Sequence, residues 1–443
     1  MRPLRSPGPV PIMHPIRRLS WQALVMVADT LLSLACLVIP VAGILRRLRR
    51  GSGIPGLRYK CFGPSADLPS GRVVVHGVSL GEVGLMGLVV PELERVWRCS
   101  TLLTSTTDTG WQALQRHWQH HPRAWWPFDL PWAVERFLAV TRPRAVVLLE
   151  LELWPRMLMA CHRRGIPVYV VNARVSERSY RGYRRARGLI APLLRPVPLA
   201  LAQNARWGAH LRALGCQQVQ VSGSLKADLV RLAAPDVVED VRQRLNLDSQ
   251  RPILLVASTS DDEERPCIKA WREACPDWQL VLCPRHPERG AQVAQALAHS
   301  GARLPVWRWS NAAAEPSADA VRIVDAIGHL SALYALADIA IVGGSLGSGR
   351  HGQNMLEAAA HGCATVVGMD TSNFPDAMTL LREANGVVET SVEDLAACLR
   401  RLTTDSSERE RLAAAGRAGW RAACGSTQRC QRLLARVPPR IPR

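Results

Sequence analysis

Apolar runs of strand length alternate along most of this chain with helix-length stretches whose apolar residues recur every three or four positions. The runs at 72–75, 145–149, 168–171, 199–202 and 219–222 form one series. A second series, at 253–257, 279–283, 339–342 and 365–367, begins after a charged, proline-containing stretch around 235–252. Short β-branched runs separated by helices predict parallel sheets covered on both faces. Two such series predict an α/β protein with two Rossmann-like domains, 51–235 and 236–443, facing one cleft. Ligands in such domains lie at the carboxyl ends of strands and against helix N-termini.

The first 50 residues follow a different pattern. Between positions 21 and 45 the only charged side chain is Asp29, and Arg46, Arg47, Arg49 and Arg50 follow at once. Twenty-five residues at 1.5 Å each span ~37 Å as a helix, against ~30 Å for the hydrocarbon core of a bilayer. The stretch is too long for a signal peptide and has no clean small-residue cleavage site. Residues 1–50 are therefore expected to form a single N-terminal anchor at the inner (cytoplasmic) membrane. Asp29 and Pro40 keep open a helix lying in the headgroup layer instead of crossing it. The basic cluster after the stretch is denser than the one before it, which favours a C-terminal body on the cytoplasmic side.

Composition narrows the function. With 443 residues, 47% apolar and 21% charged, the chain is neither disordered nor fibrous. Its twelve cysteines form no C-x-x-C pair and no zinc-like cluster, so they read as reduced thiols and no metal is expected. The net charge of +19 suggests nucleic acid until its distribution is read. Eight arginines and one acid lie in residues 1–50, and five arginines and no acid lie in 427–443. The excess is terminal, so no nucleic-acid groove is expected. Only Lys60, Lys226 and Lys269 are lysines, which makes each worth attention.

Several segments carry candidate chemistry. His76-Gly-Val-Ser79-Leu-Gly81-Glu82 runs from a strand through a glycine turn into a helix. It satisfies G-x-S-x-G, but too little chain precedes it for a hydrolase nucleophile elbow. Glu82, in the first helical turn at the mouth of a cleft, suits a general base, or simply an acid complementing the helix dipole. Gly347-Ser-Gly349-Arg-His-Gly352, with Asp370 eighteen residues on, fits a dinucleotide fingerprint, so an NAD-dependent oxidoreductase is a competing reading. Asn354 and Glu357 share a face of the following helix and could clasp ribose hydroxyls. In Pro284-Arg285-His286-Pro287, two prolines stiffen a loop whose guanidinium suits a phosphate. Arg174, Arg178, Arg181 and Arg185 make one basic face, either solvated or meeting an anionic acceptor or lipid headgroups.

Taken in order, these segments resemble the 3-deoxy-D-manno-octulosonate (Kdo) transferases, membrane-anchored enzymes that add Kdo to lipid A precursor. The resemblance runs from the N-terminus to about residue 385. It is carried by Phe62-Gly63, Ser79-Leu-Gly81-Glu82-Val83, Trp126-Pro-Phe-Asp129-Leu-Pro131 and Glu150-Leu-Glu152-Leu-Trp154-Pro155. Further matches are Asn172-Ala-Arg174, Gly223-Ser-Leu-Lys226-Ala-Asp228, Ala257-Ser-Thr259 with Glu263-Glu264, Pro284-Arg285, Gly343-Gly-Ser-Leu346 and Asn373-Phe374.

The resemblance implies a GT-B fold and an inverting, metal-independent transfer from CMP-Kdo to lipid A precursor in lipopolysaccharide core biosynthesis. CMP-Kdo is then the donor substrate, and no separate cofactor is needed. Carried over by position, Glu82 would be the general base, and Glu150 and Lys226 would support the transition state. Pro284, Arg285, Ile327, Gly328, His329, Asn354, Met355, Leu356 and Glu357 would hold CMP. The chain departs from the family pattern on this nucleotide side. His351-Gly-Gln353-Asn354-Met355-Leu-Glu357 replaces the usual G-G-H-N-P-L-E with one extra residue upstream, and His329 stands where an acid is common. Thr259-Ser260 replaces an expected Thr-His pair. The altered donor loop also leaves open a catalytically silent homologue that only binds.

Overall fold

The computed structural model describes residues 55–439 except 66, 261–262, 300–303, 312–314 and 348. The expected anchor in residues 1–50 lies outside the described residues. Among those described, no helix is long and apolar enough to cross a membrane.

Two compact units are present, each built on a seven-stranded sheet in which every described pairing is parallel. The first contains β1 (Val73–His76), β2 (Thr101–Ser105), β3 (Arg123–Trp125), β4 (Ala145–Leu149), β5 (Val168–Ala173), β6 (Ala200–Ala202) and β7 (Val219–Val221), in the order β3-β2-β1-β4-β5-β6-β7. The second contains β8 (Ile253–Thr259), β9 (Gln279–Pro284), β10 (Val306–Arg308), β11 (Val321–Ile323), β12 (Ile339–Val342), β13 (Ala364–Val367) and β14 (Val388–Glu389), in the order β10-β11-β9-β8-β12-β13-β14. Each of the nine expected runs is a strand.

The other five strands lack the apolar signature for identifiable reasons. In β2, Thr101, Thr104 and Ser105 interrupt the pattern although all three are buried. Their hydroxyls are satisfied locally: Thr101 donates to Glu94 Oε1 at 2.8 Å and Thr104 to the Val75 carbonyl at 3.2 Å. The remaining four, β3, β10, β11 and β14, have three residues or fewer, and each includes a charged residue (Arg123, Arg308, Arg322, Glu389) that breaks so short an apolar run.

Alternate strand residues feed opposite faces of each sheet. In the first unit Val73, Val75, Ala145 and Val147 join one core, and Val74, Val146 and Leu148 join the other. In the second, Leu255 and Ala257 face one core while Leu254 and Val256 face its opposite. Each fully buried Val or Leu contributes roughly 1.5–3 kcal/mol, so the central strands anchor both units.

The boundary between units differs from the expected one. The first unit runs to Leu225 and takes back the chain from Ser426, while the second spans Lys226–Gly425. The cause is the amphipathic helix Ser426–Ala435. Its Cys430 and Leu434 are buried in the same core as Val89, Leu93 and Trp97 of the helix Leu80–Trp97. Trp97 Nε1 also donates to the Leu434 carbonyl at 3.0 Å. An apolar stripe read from sequence does not say which sheet it will cover.

Leu434→Ala is expected to destabilise the first unit by about 2–4 kcal/mol through loss of buried methyl groups and the cavity left behind. Hydrogen exchange checks this: amides of β1 and β4 lose protection while those of β8 and β12 keep theirs. The reverse pattern would refute the assignment of this helix to the first unit.

Candidate active site

In the first sheet the strand order reverses between β1 and β4, and the candidate carboxylates follow those two strands. Ser79 caps the helix Leu80–Trp97, accepting from the Glu82 backbone N–H. Glu82 folds back over the turn: its Oε2 accepts from the Val78 N–H at 2.7 Å and its Oε1 from the Ser79 hydroxyl at 2.8 Å. This is a capping-box variant, so the helix-dipole reading of Glu82 is structurally correct as far as it goes. The turn itself is bolted to the end of β2. The Val78 carbonyl accepts from Ser105 Oγ at 3.1 Å, Thr107 Oγ1 at 2.8 Å and Thr107 N at 3.1 Å.

What separates Glu82 from an ordinary capping acid is its charge state. Burial pushes its carboxyl up to about 7, with smaller contributions from the Glu150 and Glu152 carboxylates, against the lowering effect of its two hydrogen bonds. A carboxyl poised there exchanges protons near neutrality. Glu150 ends β4 in a left-handed conformation (φ 56°), its N–H donating to the Val171 carbonyl at 2.9 Å. A non-glycine residue there stores about 1–3 kcal/mol of strain, the kind of cost that collects at functional sites.

The loop carrying Glu150 is held by a neighbouring motif. Asp129 is buried and accepts from the Arg156 and Met157 N–H groups at 2.8 and 2.9 Å, capping the helix Pro155–Arg163 from a distant segment. Trp126 stacks on His76 with ring centroids 4.0 Å apart, and Trp154 meets His76 edge-on at 5.9 Å. The Thr104 hydroxyl donates to Val75, so it accepts from His76 Nδ1, which carries the proton. Burial holds His76 neutral, with its imidazole down at about 3. His76, Asp129 and Trp126 are therefore structural supports. A polar or aromatic residue closing an apolar run is the signal that would have singled them out.

Lys226 lies just past the end of the first unit, in a segment fixed on both sides. Before it, the Leu225 N–H donates at 3.0 Å to the side chain of Asn172, itself buried with φ 58° at an irregularity in β5. After it, the Ala227 carbonyl accepts from Trp420 Nε1 at 3.0 Å and Asp228 accepts from the Gly425 N–H at 2.8 Å. The basic stripe is mostly solvated. Arg178, Arg181 and Arg185 are exposed, no residue of the helix Glu177–Arg185 is buried, and Glu177 pairs with Arg206 at 2.6 Å.

In the second sheet the order reverses between β8 and β12, and most of the remaining candidates surround that edge. Pro284 ends β9 and is buried. Arg285 follows it with an exposed side chain and a backbone N–H held by the Thr259 carbonyl at 3.1 Å. Arg289 of the same loop is engaged by Glu264 in a bidentate pair at 2.7 and 3.1 Å, which leaves Arg285 as the loop's outward cation. Ile327 is 86% exposed, Gly328 takes φ 98°, and His329 lies 4.2 Å from the Trp309 ring, itself 4.0 Å beneath the Arg244 guanidinium. Desolvation and that guanidinium push the His329 imidazole below its ordinary value. Asn354 and Glu357 are half-buried at the start of the helix Met355–His361, and burial raises the Glu357 carboxyl. Met355 and Leu356 point into the core, so a ligand there would meet only their backbone.

The glycine loop after β12 does not present free amides. The buried Glu263 carboxylate accepts from the N–H groups of Gly344, Leu346 and Gly347, at 2.7, 2.9 and 3.2 Å. Asp370, which a dinucleotide fingerprint would aim at a ribose, pairs with His351 at 2.7 Å and with the Ser372 hydroxyl at 2.8 Å. The amide of Gly347, the first glycine of the fingerprint, and the carboxylate of Asp370 are thus both engaged within the chain, which counts against the NAD reading. The elbow reading fails, because Ser79 is a helix cap donating to Glu82. No group of three or more His, Cys, Asp or Glu side chains able to hold a metal occurs among the described residues.

Comparison with known proteins bears on this geometry. Residues 54–229 match a family model described as 3-Deoxy-D-manno-octulosonic-acid transferase (kdotransferase). A 3-deoxy-D-manno-octulosonic acid transferase of Bordetella pertussis is 36% identical over 351 residues, 75% of this chain and 80% of that one. Its Haemophilus influenzae counterpart is 29% identical over 396 residues, 87% and 91% of the two chains. Among solved structures, Acinetobacter baumannii MurG covers 83% of this chain and 100% of its own at a TM-score of 0.53 and 14% identity, a likeness of fold alone.

The raised carboxyl of Glu82 also makes a stability prediction. An unfolded chain releases this proton near its ordinary value of 4.5, whereas the folded protein holds it until about 7. Wild-type stability therefore falls as pH rises through that window, by roughly 1.4 kcal/mol per unit of displacement. Glu82→Gln keeps the shape and cannot ionise. Its melting temperature relative to wild type is expected to be higher at pH 8 than at pH 5; a difference independent of pH would show that Glu82 is not displaced.

Proposed function

Because the chain belongs to the 3-deoxy-D-manno-octulosonic acid (Kdo) transferase family and is a Kdo glycosyltransferase with a GT-B-like pair of α/β domains, we propose that it moves Kdo from CMP-Kdo onto a hydroxyl of a lipid A precursor, with inversion. The observation that carries the mechanism is Glu82, a carboxyl pushed up to about 7 at the switch point of the first sheet. In its ionised form Glu82 takes the proton of the acceptor hydroxyl as that oxygen attacks the anomeric carbon. The bond from that carbon to the phosphate oxygen breaks, and CMP leaves with both bonding electrons. Because the hydroxyl attacks from the face opposite the departing phosphate, the single displacement inverts the centre. The charge growing on the departing phosphate is opposed by Arg285 on its proline-stiffened loop and by Lys226, so the scheme draws its electrostatic support from the chain's own cations.

Donor binding is assigned to the second unit, through Arg285, the Ile327–His329 turn and the backbone at 354–357. Acceptor binding and proton transfer are assigned to the first. A lipid acceptor suits a catalytic body tethered to the cytoplasmic face by residues 21–45. Exposed aromatic groups support the tether: Phe62, 17 residues past that stretch, is 61% exposed, and Trp132, which is 49% exposed, is brought beside it by donating from Nε1 to the Cys61 carbonyl at 2.8 Å. Aromatic side chains of this kind favour the membrane–water boundary.

Membranes carrying the full chain, incubated with CMP-Kdo and a tetra-acylated acceptor, are expected to yield Kdo-bearing lipid by mass spectrometry. Glu82→Gln should lower the rate about 10²–10⁴-fold and abolish the alkaline rise of the rate through pH 7. Arg285→Ala should mainly raise KM for CMP-Kdo. Transfer by Glu82→Gln at near wild-type rates would remove the base assignment, and a product lacking Kdo would remove the acceptor reading.

A further inference from the structure

The loop Gly343–Gly347 occupies the place where an open parallel sheet commonly receives a phosphate on backbone N–H groups, the end of a strand at the switch point. That place is already filled by an anion belonging to the chain. Glu263, with no measurable exposure, accepts from the Gly344 N–H at 2.7 Å, Leu346 N–H at 2.9 Å, Gly347 N–H at 3.2 Å, and the Ser260 N–H and hydroxyl at 2.9 Å each. The loop is closed around it. Ser345 donates to the Val342 carbonyl and accepts from the Gly368 N–H, at 2.9 and 2.8 Å. A Cβ on Gly343 would stand 2.7 Å from Thr259 Cα, so the loop backbone passes too close to β8 to leave room for a side chain at this position.

We propose that Glu263 is a specificity-determining positioning residue: its carboxylate fills the amide cradle that would otherwise take a second phosphate, and so restricts the nucleotide to a monophosphate. The inference rests on the CMP-linked donor proposed above and adds why a diphosphate is refused. Two anions cannot share one set of N–H groups, and the resident one is covalently fixed, so a β-phosphate meets repulsion instead of donors. Removing the carboxylate leaves a polar hole of phosphate character.

Calorimetric titration of the full chain with CMP, CDP and inorganic pyrophosphate tests this. Wild type is expected to prefer CMP to CDP by at least about a hundredfold, and Glu263→Ala to cut that preference about tenfold or more, chiefly by gaining CDP and pyrophosphate affinity. A merely structural role would weaken both nucleotides together and leave their ratio alone. Glu263→Gln, which keeps the volume but turns an amide donor toward the loop N–H groups, should move the ratio in the same direction and is the variant read if Glu263→Ala does not fold. Equal affinity of wild type for CMP and CDP, or an unchanged ratio in a folded variant, would overturn the proposal. A wild-type chain that binds neither nucleotide would instead remove the donor reading on which it stands.

Discussion

Everything distinctive about this protein follows from a constraint on parallel sheets. Each crossover must return the chain to the same edge, so the carboxyl ends of all strands in a sheet collect on one side. Where the strand order reverses, successive connections leave toward opposite faces and a gap opens between them. The first sheet reverses between β1 and β4 and the second between β8 and β12. Glu82 and Glu150 follow the first pair of strands, and Glu263 and the loop Gly343–Gly347 follow the second. The candidate residues thus lie at positions where backbone topology leaves room for a ligand between strands buried on both faces.

Three buried or half-buried carboxylates show how the same group is directed to different ends by its neighbours. Asp129 accepts two N–H groups at the start of the helix Pro155–Arg163 and so fixes the loop that carries Glu150. Glu263 accepts five donors and becomes part of the backbone scaffold of its loop. Glu82 accepts only two, lies near two other carboxylates, and is pushed toward neutrality. Asp129 and Glu82 each accept two hydrogen bonds, so donor number alone does not set them apart; burial, with the nearby Glu150 and Glu152 carboxylates, is what pushes Glu82 up.

The α/β class and the two sheets were legible because central parallel strands are apolar on both faces, and the turn carrying Glu82 because it follows such a strand through a glycine; Glu150 came only from the family resemblance. The strands β3, β10, β11 and β14 were not, since one charged residue breaks a run of three or fewer, nor was β2, whose buried threonines imitate loop composition. At the second switch point the glycine pattern misled. G-x-G-x-x-G reports backbone shape but not what the freed N–H groups bind, and Glu263 sits far upstream of the loop it fills. Met355 and Leu356 illustrate a related limit, because a motif position names a residue without saying whether its side chain or its backbone faces the ligand.

Lys226 shows why placement matters more than residue type. It stands at the first of two points where the chain passes between units, and each passage is anchored by bonds inside the unit it leaves or enters. On the first unit's side, Asn172 holds Leu225 while Arg429 donates to the Ser222 carbonyl at 2.7 Å. On the second unit's side, Trp420 holds Ala227 and the Gly425 N–H holds Asp228. Gly425, with φ 82°, immediately precedes the return passage, so the outgoing and returning segments are tied together within three residues of Lys226. The backbone that carries Lys226 is thus pinned on both flanks, and Asn172, which holds Leu225, itself takes a left-handed φ of 58°.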